Sequence, residues 1–148
     1  MENQITPLTF PGKNGDSDYS GLKAGHVAIR TTEYAQLIEW YKETLDFRVV
    51  REWTVGDLQL AFLALPNDDS FLIEVLGNQA TEEQGVSKMK WGYDHVCFHV
   101  EDLDKTVAAL SKRNVTITRS MRIPAIGKRV AFIADPFGNT IEFCAELK

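Results

Sequence analysis

Asp94-His95-Val96-Cys97-Phe98-His99-Val100 repeats, in outline, an earlier stretch, Gly25-His26-Val27-Ala28-Ile29-Arg30. Both read as strands, with apolar side chains recurring at every second position. Each is followed by a helix of matching size. Thr32 is placed to cap a helix over 33–45 whose apolar face is Tyr34, Leu37, Ile38, Tyr41 and Leu45. Asp102 is placed to cap one over 103–113, with Leu103, Val107 and Leu110 inward and Asn114 at its C-terminus. Three short strands follow each helix. In the first half they are expected at 47–53, 58–65 and 71–76, with turns at Gly56-Asp57 and Pro66-Asn67-Asp68-Asp69. In the second half they are expected at 115–119, 129–134 and 140–145, the last two joined by Asp135-Pro136-Phe137-Gly138-Asn139. His95 lies 69 residues after His26, and Glu142 lies 68 after Glu74. Duplication of a βαβββ module accounts for both offsets.

The expected architecture is α+β, with two tandem βαβββ modules (23–77 and 93–148) in a single domain, 23–148. A polar connector, 78–92, joins them, and mixed sheets form a half-open barrel. Residues 1–22, with Pro7, Pro11, Gly12, Gly15, Asp16 and Ser17 and no periodicity, read as an N-terminal arm or a disordered tail.

The alternation also sorts the polar residues. Val27 and Ile29 face the helix, so His26, Ala28 and Arg30 face away. By the same rule His95, Cys97 and His99 oppose Val96 and Phe98. Glu74 opposes Ile73 and Val75, and Glu142 opposes Ile141 and Phe143. Each module thus aims one imidazole and one carboxylate to its open face. Packed about a pseudo-two-fold axis, His26, Glu74, His95 and Glu142 would hold one divalent metal. Zn²⁺ or Ni²⁺ suits two imidazoles and two carboxylates first, with Fe²⁺, Co²⁺ or Mn²⁺ as alternatives. Four protein ligands leave coordination positions open for water or a chelating substrate. His99 reads either as a substrate-facing residue or as a polar strand residue. Cys97 and Cys144 read as small pocket-lining residues, and Trp91 is a candidate for the pocket wall.

The bulk properties exclude other classes. A net charge of −5 with scattered Lys and Arg leaves no footprint for nucleic acid. No apolar run approaches the ~20 residues of a membrane helix. MENQITPLTF lacks a basic region followed by an apolar stretch, and two cysteines are too few for a disulfide scaffold, so a cytoplasmic location is expected.

With these residues in view, the chain resembles the vicinal oxygen chelate superfamily. That group includes glyoxalase I, methylmalonyl-CoA epimerase, ring-cleaving dioxygenases and the bleomycin and fosfomycin resistance proteins. The resemblance spans 24–146 and is carried by Gly25–Ile29, Tyr93–Val100 and Ala131–Glu142, the last with an Asp-Pro-x-Gly-Asn-x-Ile-Glu core. The ligand order His, Glu, His, Glu is similar to that of glyoxalase I; the epimerases have Gln at the position of Glu74. Arg30 and Asn78 match residues that bind the γ-glutamyl end of glutathione there. Arg122, with Arg119 or Lys128, loosely matches the residues that hold its glycine end. Phe137 departs from the Asp usual in that turn.

The resemblance implies a metal-dependent, glyoxalase I-like lyase or isomerase (lactoylglutathione lyase-like). It would convert a 2-oxoaldehyde–thiol hemithioacetal, such as that of methylglyoxal and glutathione, to a 2-hydroxyacyl thioester. Glu142 and Glu74 would be the proton-transfer residues, and the protein would be a homodimer. Another metal-dependent activity, epimerase or dioxygenase, and a small-molecule-binding resistance protein are the alternatives.

Overall fold

The computed structural model describes residues 7–78, 91–134 and 138–148, apart from the side chain of Leu45. Its elements are β1 (Lys23–Thr31), α1 (Tyr34–Leu45), β2 (Arg48–Val55), β3 (Leu58–Leu65), β4 (Asp68–Gly77), β5 (Gly92–His99), α2 (Leu103–Lys112), β6 (Arg119–Ile123), β7 (Lys128–Ala134) and β8 (Thr140–Glu146). A 3₁₀ turn, Pro124–Ile126, links β6 to β7.

The βαβββ order appears twice, as the periodicity predicts. The two modules do not stack as separate sheets, however. They join edge to edge in one eight-stranded sheet of order β2-β3-β4-β1-β5-β8-β7-β6. β1 pairs parallel with β4, β5 pairs parallel with β8, and the antiparallel β1–β5 pair forms the seam. The seam carries two register shifts, between Ala24 and His26 and between Ala28 and Ile29. Bulges of this kind bend a sheet and raise its twist. The sheet curls into a half-barrel, so that residues of both edge strands, β2 and β6, line one hollow. Arg51 on β2 donates from Nη2 to the Ala125 carbonyl in the 3₁₀ turn at 2.5 Å, spanning the two edges.

Both helices cover the convex face. Ile38 of α1 packs with Ala61, Leu63 and Val75, flanked by Tyr34, Leu37 and Tyr41. Leu103 and Leu110 of α2 pack with Ala131, Ile133 and Phe143. The helix starts differ from each other. Asp102 caps α2 by accepting from the Lys105 amide at 3.0 Å, as expected. At α1 the N-cap is Glu33, with no side-chain cap, and Thr31 rather than Thr32 accepts from a backbone amide, that of Glu33.

The sixth strand is displaced from its expected place. Arg119–Ile123 pairs with β7, and only Arg119 belongs to the expected 115–119. Val115 and Ile117 instead pack under α2 against the core. Their alternation records burial rather than a hydrogen-bonded ladder. β2 runs on to Val55, and β4 begins already at Asp68.

Before β1, residues 7–14 are exposed and without regular structure, and turns follow at 15–21. Tyr19 joins the cluster around α2, with the Arg113 guanidinium 4.7 Å from its ring centre. Most of the expected connector and Asp135-Pro136-Phe137 lie outside the described residues.

Candidate metal centre

The four central strands, β4, β1, β5 and β8, contribute Glu74, His26, His95 and Glu142 in turn to the concave face. Except for Asp94, their neighbours in sequence face the helices, which is the period-two rule at work. His26, Glu74 and Glu142 are 3%, 7% and 6% exposed. Their polar atoms converge. The two Nε2 atoms of His26 and His95 stand 3.2 Å apart. Glu142 Oε2 is 2.9 Å from His95 Nε2 and 3.9 Å from His26 Nε2. Glu74 Oε1 is 3.7 Å from both imidazoles. Phe62 packs on His26 and Phe132 meets His95 edge-on, their ring centres 5.3 and 5.9 Å away.

Burying four such groups together perturbs their proton affinities. Burial pulls His26 down from 6.5 to about 4, against the pull of Glu142. Burial acts downward on His95 too, but its hydrogen bonds to Asp94 and Glu142 outweigh that and lift it to about 9. Glu74 rises from 4.5 to about 8, first through burial and then through the charge of Glu142. These shifts favour a bare His26 and a proton on His95 and on Glu74, a charge balance that a cation between these atoms would otherwise supply. Two imidazoles and two carboxylates, clustered and desolvated, suit a borderline divalent ion. The structure brings His26, His95 and Glu142 within 4.8 Å of one another and sets Glu74 Oε1 3.7 Å from both imidazoles.

Asp94 is the residue that sequence reasoning missed. Its Oδ1 accepts from His95 Nδ1 at 2.8 Å, and its Oδ2 accepts from Arg30 Nε at 3.1 Å. The His95 hydrogen bond, then Arg30, hold its carboxyl below the usual range despite burial. A carboxylate on Nδ1 fixes the tautomer and leaves Nε2 for the site. The signal was an acidic residue directly before a candidate ligand, but strict alternation assigned Asp94 to the wrong face.

The other expected site residues are placed as follows. Arg30 lines the cavity, but its fork is engaged by Asp94 and by Asn78, whose Oδ1 accepts from Arg30 Nη1. Asn78 is anchored by its own amide to the Thr31 carbonyl at 3.0 Å. His99, Cys144 and Arg122 line the same hollow, and Cys97 is buried beside it. Trp91 is not part of the wall; Trp53 is.

The cavity measures about 980 Å³. His26, Glu74, His95 and Glu142 all border it. Leu58, Leu60, Phe62 and Leu76 give it an apolar flank from the first module, and Met121, Ile123 and Phe132 from the second. A buried polar cluster beside a largely apolar hollow is the common form of a small-molecule site. Among the described residues, no helix is long and apolar enough to cross a membrane.

Comparison with known proteins agrees with this geometry. The lactoylglutathione lyase of Schizosaccharomyces pombe is 23% identical over 88% of this chain, and the match covers 49% of that enzyme. The chain thus spans about half the length of that relative. The uncharacterized protein YaeR of Escherichia coli is 31% identical, with 82% of this chain and 95% of YaeR covered. The crystal structure of methylmalonyl-CoA epimerase from Mycobacterium tuberculosis superposes with a TM-score of 0.71 at 25% identity, covering 86% of this chain and 88% of the epimerase. Residues 23–143 match the family model described as the Glyoxalase/Bleomycin resistance protein/Dioxygenase superfamily, and the chain belongs to that superfamily.

Proposed function

We propose that the chain is a metal-dependent lyase of glyoxalase I type, converting a 2-oxoaldehyde–thiol hemithioacetal to a 2-hydroxyacyl thioester. The observation that carries this reading is the convergence of His26, His95, Glu74 and Glu142 at the wall of one cavity. In this reading all four hold one divalent cation, Zn²⁺ or Ni²⁺ before Fe²⁺, Co²⁺ or Mn²⁺. When bound, the cation supplies Lewis acidity toward the substrate oxygens and offsets negative charge developing beside it.

The chain's own residues move the proton. Glu142 takes it from the thiol-bearing carbon, and a carboxyl on the same wall, Glu142 or Glu74, delivers a proton to the neighbouring carbonyl carbon. The hydroxyl proton of the hemithioacetal passes in the same course to the neighbouring oxygen, so the thiol-bearing carbon is oxidised to the thioester level, its neighbour is reduced to the alcohol, and no outside oxidant is needed. Arg30, Asn78, His99 and Arg122 are the substrate-binding residues, with Arg30 and Asn78 forming one polar corner. A homodimer and a cytoplasmic location belong to the same reading. The exposed Leu8 and Phe10 in the arm support packing on a partner subunit.

The test is an assay of the Ni²⁺- and Zn²⁺-loaded protein with methylglyoxal and glutathione, followed as thioester absorbance. Thioester should accumulate with metal and not without it. The epimerase likeness supplies the rival reading, although Glu74 replaces the epimerases' Gln. Epimerisation of methylmalonyl-CoA, with no thioester formed from glutathione or any other thiol, would transfer the assignment to that reaction.

A further inference from the structure

Next to the four-residue cluster, Cys97 is the hub of a second one. Its Sγ and ring nitrogens of His26 and His99 lie within 4.8 Å of one another. The same limit encloses Cys97 Sγ, a Glu142 carboxylate oxygen and Cys144 Sγ. Both thiols are free and buried, and Cys97 Sγ donates to Glu142 Oε1 at 3.6 Å.

The strand register builds this patch. Parallel pairing of β5 with β8 sets Cys97 opposite Glu142 and His99 opposite Cys144, so all four share the concave face. Gly25 completes it. A Cβ there would stand 2.7 Å from the Cys97 carbonyl oxygen and 2.8 Å from His99 Cδ2. The bare glycine gives the His99 ring room to lie against β1, close to Cys97. Access runs through the main cavity, which His26, His99, Glu142 and Cys144 all line.

We propose that Cys97, Cys144 and Glu142 form a second cation site, selective for thiophilic ions, which shares Glu142 with the first. Two sulfurs prefer soft ions, whereas the nitrogen and oxygen donors of the first site suit borderline ones. Binding releases both thiol protons to solvent and forms two sulfur–metal bonds, with no change of oxidation state. Because Glu142 belongs to both donor sets, the two sites compete. A thiophilic ion in the second site draws this ligand away from the first.

Titration of the metal-stripped full chain with Cd²⁺ tests this, read by the ultraviolet thiolate-to-cadmium charge-transfer band with far-UV circular dichroism alongside. The chain contains two cysteines, so any such band belongs to them. The expected result is a saturable band with the fold retained, lost in Cys97→Ser and in Cys144→Ser. Glu142→Gln should weaken Cd²⁺ binding by about tenfold or more. Glu74→Gln should keep the band, and preloading with Ni²⁺ should weaken Cd²⁺ binding. The proposal is overturned if Cd²⁺ binds with no band, if the band appears only as the circular dichroism is lost, or if Ni²⁺ has no influence on it. None of these readouts depends on turnover, so they stand apart from the lyase assignment.

Discussion

The two modules place a histidine at the same point of the same strand, yet His26 is pulled down to about 4 and His95 is lifted to about 9. Both imidazoles are buried on one face of one sheet. What differs is the residue before each. Asp94 gives His95 a carboxylate on Nδ1, itself backed by Arg30. Gly25 gives His26 no such partner, and its missing Cβ makes room for His99 instead. Duplication therefore places the ligands in pairs, and single neighbours make the pair unequal. With the two Nε2 atoms 3.2 Å apart, the imidazole of higher proton affinity, His95, is the one placed to donate and His26 the one placed to accept.

The largest expected effect separates the glutamates of the two halves. Glu142→Gln should lower kcat for the thioester-forming reaction by about 10²–10⁴-fold with saturating metal, and Glu74→Gln by less. The reverse ranking would move the base to the first module, and near-normal kcat in both variants would remove the proton-transfer role from each.

Asp94→Asn should bring the halves closer to equivalence. Loss of the carboxylate behind His95 should weaken metal binding by about 10–100-fold, measured by competition with a chelator. Unchanged affinity would mean that the Asp94 contact orients nothing. Gly25→Ala probes the other half. Its Cβ would press on backbone at the seam, so we expect a loss of ~1–3 kcal/mol in denaturant unfolding.

The metal-free protein should also show the inequality in its pH dependence. His95, raised from 6.5 to about 9, stabilises the fold fully below 6.5, and that contribution is lost as pH rises through 9. Glu74, raised from 4.5 to about 8, acts in the same direction, because the folded chain holds its proton where the unfolded chain has released it. His26, lowered from 6.5 to about 4, opposes them only as pH falls through that lower window. Melting temperature should therefore drop from pH 6.5 to 9 in the metal-free protein and much less in the metal-loaded one. Parallel curves would contradict the exchange of cation for protons.

The smallest effect concerns the helix starts. Asp102→Ala should cost α2 about 1 kcal/mol, whereas Glu33→Ala, at an end with no side-chain cap, should cost α1 almost nothing.

Much of this site was legible before any coordinates. Alternation put His26, Glu74, His95 and Glu142 on the face away from the helices, and the repeat offset suggested that they belong together. Asp94 was not legible. It stands one residue out of phase, and the seam between β1 and β5 shifts register close by, between Ala28 and Ile29. Period-two reasoning fails where a strand bends. β6 was misplaced for a related reason, since Val115 and Ile117 alternate through burial under α2 and not through ladder pairing.

By itself, the sequence determined the helices and, β6 aside, the approximate strands, the duplicated order of those elements, and the imidazole and carboxylate that each module turns from its helix. These follow from local periodicity, because strand and helix geometry repeat over a few residues. Only the tertiary structure decided that the modules merge along β1 and β5 into one curled sheet, that four side chains from four strands approach within 4 Å of a neighbour in the cluster, and that Asp94 and Gly25 make the two histidines unequal. Those outcomes depend on contacts across the 69 residues between His26 and His95, where burial and neighbouring charge, rather than local pattern, set the energy.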